Sequence, residues 1–524
     1  MTMKEKKPAF AASEGMKKEY CAKIVRIGEM KPIEGSDFLV QTLMDGFSCV
    51  VQKGAFEVGE PVIYCLNETA VNKKFLSANN QFEIGEYELN ANAKEVAALI
   101  DEGRKDDAKR LVGFFGKHGR VRMIRLRGCP SYGCIFKFDS LLRWKPSLKD
   151  ERLEDYLTVD EDGYEHSFNF DTVDGELFAE MYVPMTRNSW RGMGKKKRNS
   201  RKASFDRLVP GQFVFHYDTD QLRDNMWRFR PETVVDISVK LHGTSVIVGN
   251  LITRIPQKLS LVQQLKSRNI RRQQKQLGRS HPRFYWQRRM VERQTASLEA
   301  AVPENFRLGY GPVFSSRTVV KNQYLYDSLG AGFYDADIWS EYGNIFYPFI
   351  EKGMTVYGEI CGYITGVQSM IQPQYDYGCR AGENFMMPYR ITTTDAEGRK
   401  REWSVTEVRD WTVRLAADHP ELAPRLRPIT VLYHGTLAAL YPDVPQDDLW
   451  RESILERLAS DGTRMGMEKN EPMCVAKVPR EGLVLRIEGD ENAEAFKLKS
   501  NKFFERESKL IDQGQVDMEM GAGT

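Results

Sequence analysis

A lysine acts as a nucleophile only where its surroundings make the neutral amine available, so the lysines to examine are those with charged company at fixed places. Lys240 stands in Val234-Val235-Asp236-Ile237-Ser238-Val239-Lys240-Leu241-His242-Gly243-Thr244-Ser245, followed by Val246-Ile247-Val248. Two β-prone runs around Lys-Leu-His-Gly predict strand, tight connection, strand. Gly243 permits a positive φ or a close backbone approach that a Cβ would block. By itself, a lysine beside a glycine turn reads as a solvated surface group. Four later segments change that reading: Ser315-Ser316-Arg317-Thr318, Val356-Tyr357-Gly358-Glu359-Ile360-Cys361-Gly362, Arg480-Glu481-Gly482-Leu483-Val484-Leu485-Arg486 and Phe496-Lys497-Leu498-Lys499-Ser500. An unperturbed lysine, with a pKa near ~10.4, is neutral in about one molecule in two thousand at pH 7. Nearby positive charge increases that fraction. In Phe496-Lys497-Leu498-Lys499 a period of two puts both ammonium groups on one face and both apolar side chains on the other. Taken alone, that segment reads as the solvated half of an amphipathic strand.

The set, in this order, resembles the nucleotidyl-transfer motifs of the covalent nucleotidyltransferase superfamily, which holds polynucleotide ligases and mRNA capping enzymes. The Lys-x-His-Gly form, with His242 where DNA ligases usually carry aspartate, is similar to the RNA ligase 2 group. The order of domains looks most like the Deinococcus-type RNA ligase. The resemblance implies an ATP-dependent RNA ligase in which Lys240 attacks the α-phosphorus of ATP, expels pyrophosphate and carries AMP. AMP then passes to an RNA 5′-phosphate, and a 3′-hydroxyl attack seals the ends. It implies that His242 and Gly243 lie beside the nucleophile and that Arg317 reaches the nucleotide sugar or the incoming 5′-phosphate. Glu359 is then expected to contact ribose or a metal. An aromatic near Asn384-Phe385-Met386-Met387-Pro388-Tyr389-Arg390, taken as Phe385, is expected to stack on adenine. Lys497 and Lys499 would neutralise phosphate charge as it builds in the transition state. Carboxylate oxygen is the ligand type magnesium prefers, which assigns Glu481 to Mg²⁺ or Mn²⁺. The rival readings are a GTP-dependent capping-type guanylyltransferase, a DNA ligase, and a non-catalytic RNA-binding protein on a ligase scaffold. His242 and the barrel expected ahead of the catalytic segment speak against the first two, and the intact charged residues against the third.

The elements that must position these residues are legible in outline. The expected class is α+β: an N-terminal OB-like β-barrel, then a nucleotidyltransferase domain, ATP-grasp-like, of antiparallel sheets with flanking helices. Residues 1–19 read as a disordered lead-in, 20–143 as the OB-like RNA-binding domain and 144–207 as a connection. Within that connection Lys195-Lys196-Lys197-Arg198 and Arg201-Lys202 form a basic linker. Residues 208–510 read as the nucleotidyltransferase domain, led by a strand over Gln212-Phe213-Val214-Phe215-His216, and 511–524 as a tail. In the first domain, short β-rich runs alternate with turns. The run Gly119-Arg120-Val121-Arg122-Met123-Ile124-Arg125-Leu126-Arg127-Gly128 reads as one alternating strand with Arg120, Arg122, Arg125 and Arg127 in a row. Such a row fits phosphate contact or an ordinary solvated sheet. The insertion 253–303 carries a helical stretch with Lys266, Arg268, Arg271, Arg272, Lys275, Arg279 and Arg283 among its cations, and Phe284, Tyr285 and Trp286 between them. Basic residues interleaved with aromatics fit a strand-tracking surface; a hairpin packed by Leu261, Leu265, Ile270 and Tyr285 fits as well. Trp403 to Glu468 reads as core-forming helices without chemistry.

Composition sets the bounds. The 524 residues suffice for more than one core, and 41% hydrophobic with 28% charged residues describes a globular chain. A net charge of +3 makes the basic segments local features rather than a global one. No apolar run approaches the ~20 residues of a membrane span, and no apolar stretch follows the basic start. Eight cysteines, with Cys129 and Cys134 lacking partners at zinc-ligand spacing, read as thiols in a reducing compartment, so the chain is expected to be cytoplasmic. The expected partner is RNA, as a nicked duplex with 3′-OH and 5′-phosphate ends. A monomer is expected.

Overall fold

A computed structural model describes residues 8–161, 163–183, 206–216, 219–258, 260–277, 289–291, 293–294, 306–323, 336–488 and 494–513. The chain forms two compact units: Met1–Lys195 with Asp218–His242 and Thr430–Thr524, and Lys196–Tyr217 with Gly243–Ile429. The candidate motifs are therefore shared between units, and the division falls at the His242–Gly243 peptide bond. Ten strands, numbered here in chain order, build the two largest sheets: β1 (Asp220–Gln221), β2 (Val234–Lys240), β3 (Thr244–Pro256), β4 (Phe306–Ser316), β5 (Met354–Gly362), β6 (Asn384–Thr394), β7 (Lys400–Glu402), β8 (Val431–Thr436), β9 (Gly482–Ile487) and β10 (Ala495–Lys499).

In the first unit the sheet order is β1-β10-β9-β2-β8, with β1 parallel to β10 and the other pairs antiparallel. Alternation along β2 and β9 sends Val235, Ile237, Leu483 and Leu485 to a core shared with Phe496, Leu498 and the helix Trp450–Ser460. The opposite face then carries Asp236, Ser238 and Lys240 from β2, and Lys497 and Lys499 from β10. β8 lies inside the block read from sequence as purely helical, and it is a strand because it pairs with β2 from Val234 to Ser238. Helices do form on either side of it, Val405–Asp418 and Trp450–Ser460.

The N-terminal part of this unit does not close into a barrel among the described residues. Its strands stay short and separate: a sheet of Cys134–Phe136, Pro61–Cys65, Ala22–Arg26 and Phe168–Phe170, a meander of Met30–Pro32, Leu39–Met44 and Phe47–Gln52, and smaller pairs. The run 119–128 is not one strand. Gly119, Arg127 and Gly128 at its ends have positive φ, Arg120 bridges to Ala70, and only Ile124–Leu126 form a strand, paired with Cys129–Ser131. Within the lead-in, Phe10, 1% exposed, pairs with Val173 and packs in the core with Ile24, Ile63 and Phe170. The connecting segment also contributes strands, with Phe168–Phe170 on Ala22–Ile24 and Ala179–Met181 on Thr69–Val71.

In the second unit the sheet order is β4-β3-β5-β6-β7, antiparallel throughout. Val246, Val248, Val356, Ile360 and Met386 face a core closed by the helices Ile338–Phe346 and Val405–Asp418. Residues on the other face include Ser245, Glu359 and Met387, consecutive partners across β3, β5 and β6. The expected strand over 212–216 is an irregular segment instead, fixed by the Tyr357 hydroxyl donating to the Val214 carbonyl at 2.9 Å. Mixed α and β elements in antiparallel sheets with helices at their faces are thus present. No helix among the described residues is long and apolar enough to cross a membrane.

Candidate active site

In the first unit, register places Lys240 opposite Gly482 and Gly482 opposite Lys499, one row across three strands. Glycine is required in the middle of that row: a Cβ on Gly482 would lie 2.1 Å from the Leu498 carbonyl oxygen. The residue before it, Glu481, is 3% exposed and receives the row's charges. Its Oε1 lies 2.9 Å from Lys240 Nζ and 3.8 Å from Lys499 Nζ, and its Oε2 lies 3.9 Å from His242 Nδ1. Burial alone would push the Glu481 carboxyl up; Lys240, Lys499 and His242 outweigh it and hold it below the usual carboxylate range. Glu481 Oε2 is buried with no hydrogen-bond donor. A buried anionic oxygen in that state fits a hard divalent cation, which bonds to carboxylate oxygen.

Lys499 also contacts Glu507, at 3.0 and 3.2 Å, and its ammonium lies 5.0 Å from the Phe503 ring centre. The same ring meets His242 edge to face at 5.0 Å. The helix Asn501–Asp512, capped by the Ser500 hydroxyl, supplies both Glu507 and Phe503. Lys497, on the same sheet face as Lys499, is ion-paired with Glu19. Glu507 and Glu19 were missed in the sequence because neither sits in a recognisable motif; their partners are set by tertiary packing.

In the second unit, Gly243 donates its N–H to Glu359 Oε1 at 3.0 Å and accepts from Gln372 Nε2 at 2.9 Å. A Cβ there would meet the Ile360 carbonyl oxygen at 2.3 Å and Cys361 Sγ at 2.8 Å, so only glycine permits this approach to β5. Ser245 contacts the Tyr389 hydroxyl at 3.2 Å, and its carbonyl accepts from Trp339 Nε1 at 3.1 Å. Arg317 follows β4 at a bend and is half-buried. Phe385 is 1% exposed, with the Arg427 guanidinium 3.8 Å from its ring centre. That ring face is already covered. Gln372, which meets the Gly243 carbonyl from 129 residues further on, was hidden by that distance in sequence.

The arginines expected to touch nucleic acid do not form a row. Arg120 is buried, paired through two nitrogens with Glu68 at 2.6 and 2.8 Å and with Asp512 at 2.6 Å. Arg122 donates to the Phe114 carbonyl at 3.2 Å, Arg125 pairs with Glu505, and Arg127 is exposed at the turn. Removing Arg120 would leave Glu68 buried without its counter-charge. Arg120→Ala is therefore expected to lower stability by roughly 3–5 kcal/mol, read by chemical denaturation. Arg271 and Arg272 are exposed on the helix Leu261–Leu277, whose Leu261 and Leu265 are exposed too rather than packed, while Ile270 is buried. Arg279, Arg283 and the aromatics 284–286 lie outside the described residues, as does the basic linker 195–202. All eight cysteines are free.

Neither a protein-family model nor a curated protein matches the chain. Among solved structures it is similar to a lysine-to-alanine mutant of Naegleria gruberi RNA ligase with ATP and Mn, at 14% identity and a TM-score of 0.47, over 93% of this chain and 98% of that one. A glutamate-to-alanine mutant of the same ligase with AMP and Mn gives 14% and 0.47 over 94% and 99%. The ligase with PPi gives 14% and 0.45 over 94% and 100%.

Proposed function

We propose that the chain is an ATP-dependent RNA ligase that seals 3′-OH and 5′-phosphate ends, with Lys240 as the carrier of AMP. The observation that carries this reading is the sharing of one buried carboxylate by two lysines: Lys240 at 2.9 Å and Lys499 at 3.8 Å from Glu481 Oε1. A structural ion pair needs one cation. A second cation on the same oxygen suits a site that must also accept phosphate charge. In the reaction, Lys240 Nζ forms a P–N bond to the α-phosphorus of ATP as the bond to pyrophosphate breaks, and its proton leaves to solvent. AMP then moves to the 5′-phosphate, and attack by the 3′-hydroxyl joins the ends and releases AMP.

While Glu481 holds Lys240 as an ammonium, the amine has no lone pair to offer. Glu481, through Oε2, would hold Mg²⁺ or Mn²⁺, and Glu359 keeps the ribose or metal role that the motif resemblance implies for it. Bound there, the cation neutralises phosphate charge and draws on the carboxylate that pairs with Lys240. Lys499, His242 and Arg317 serve the nucleotide and its phosphates, and Gly243 keeps the turn close to Glu359. For adenine the expected platform is Phe385, whose ring face meets Arg427; Met387, beside Glu359 in register and 5% exposed, is the apolar side chain on the Glu359 face. The segment 208–510 is read as the nucleotidyltransferase domain, and the exposed Arg271 and Arg272 as contacts for the RNA, a nicked duplex.

The test is incubation with ATP or GTP labelled at the α-phosphate, followed by denaturing electrophoresis. Label retained from ATP is expected. Label from GTP alone would point to a capping-type enzyme, and none from either would point to a binding protein. Sealing of nicked duplexes with RNA or DNA on each side of the break then separates RNA ligase from DNA ligase.

A further inference from the structure

Four residues before Lys240, about 13 Å along the strand, the same sheet face carries a second cluster that the nucleotidyl-transfer reading does not use. Asp236 on β2 stands opposite His434 on β8 and opposite Arg486 on β9. Glu488 follows β9 and donates its backbone N–H to the Val234 carbonyl at 3.0 Å, which holds it beside Asp236. One ligand-capable atom from each of Asp236, His434 and Glu488 lies within 4.8 Å of the other two. Asp236 is 2% exposed, and its Oδ1 lies 3.0 Å from His434 Nδ1. Its Oδ2 is buried and has no hydrogen-bond donor.

An unmet buried carboxylate oxygen facing a second carboxylate calls for positive charge between them. Arg486, opposite Asp236 on β9, is the cationic neighbour of the group, and His434 is opposite Asp236 on β8. With Arg486 cationic and both carboxylates ionised, the group is one negative charge in excess. We propose that Asp236, His434 and Glu488 bind a divalent transition-metal ion, Zn²⁺ or Mn²⁺, that fastens β2 to both of its neighbouring strands. Two carboxylate oxygens with one imidazole nitrogen favour these ions over Ca²⁺, which takes oxygen alone. Because His434 is 58% exposed, an ion has an open approach and the ring has room to adjust. The inference is independent of the reaction assigned to Lys240.

The test uses the full-length chain without nucleotide. After treatment with a chelator, Zn²⁺ or Mn²⁺ is added, excess is removed, and bound metal is counted by atomic emission for the wild type, His434→Ala and Glu488→Gln. Carrying Glu481→Gln in all three removes the other candidate ligand. The expected result is one equivalent more in the parent than in either variant, and a metal-dependent rise in its melting temperature of about 2–4 °C that both variants lack. Glu488→Gln relieves the carboxylate contact, so it is expected to fold, and the exposed His434→Ala gives a second reading. Equal metal content in the three proteins, or no bound metal in the parent, would overturn the proposal.

Discussion

Lys240→Arg is expected to abolish covalent labelling from ATP, by on the order of 10⁴-fold or more, while leaving the protein folded. Arginine keeps the positive charge that Glu481 requires, 2.9 Å away in the native pair, but a guanidinium has no free lone pair at neutral pH. Lys240→Ala loses the nucleophile too, but it also takes the nearer cation from a buried carboxylate, leaving Lys499 at 3.8 Å, so arginine gives the cleaner reading. A third measurement locates the defect. If Lys240 only carries AMP, then RNA whose 5′ end is already adenylated no longer needs it, and Lys240→Arg should seal that substrate at a rate within about tenfold of the wild type. Unchanged labelling in the arginine variant would remove Lys240 from the reaction. Lost sealing of adenylated RNA would give the amine a further part in the last step.

The nucleophile strand and the two-residue period of Lys497 and Lys499 could be seen in sequence because both depend on local pattern: β-prone residues around a glycine turn, and alternation on β10. The partners could not. Glu507 contacts Lys499 because the helix after β10 folds back over the same face, and no spacing rule specifies that turn. The row of four arginines failed for a definite reason. A row from Arg120 to Arg127 needs one ladder throughout, whereas Arg120 bridges to Ala70, only Ile124–Leu126 pair with Cys129–Ser131, and Arg127 turns away with positive φ. A buried pairing of Arg120 with Glu68, fifty-two residues earlier, then removes the guanidinium from the surface. β8 was hidden by the helix-forming residues on both sides of it. It is a strand because β2 needs a neighbour on that edge, a tertiary demand that overrides local preference. The two glycines of the motifs carried the most reliable signal. Gly243 and Gly482 each stand where a carbonyl oxygen leaves no room for a Cβ.

The second large effect is expected at Glu481. Glu481→Gln preserves shape but removes the charge that Lys240 and Lys499 share, and with it the oxygen offered to a cation. Label transfer should fall by about 10²–10³-fold, and the divalent-metal concentration needed for half-maximal labelling should rise. A purely structural Glu481 would change stability without moving the metal requirement. The pH dependence gives an independent check. The folded carboxyl lies below its ordinary value, near about 4.3 in the unfolded chain. Its stabilising contribution is therefore present above that value and is lost as pH falls through the lower, folded one. The wild type should lose stability more steeply than Glu481→Gln as pH drops below about 4.3, and the difference should vanish once both are fully protonated at that position. Near neutral pH the glutamine variant should be the less stable of the two. Lys499 retains Glu507 there, at 3.0 Å, whereas Lys240 loses the buried carboxylate that holds it. The variant's loss of labelling should consequently exceed what its lower stability explains, because the amine is then left without the group that positions it.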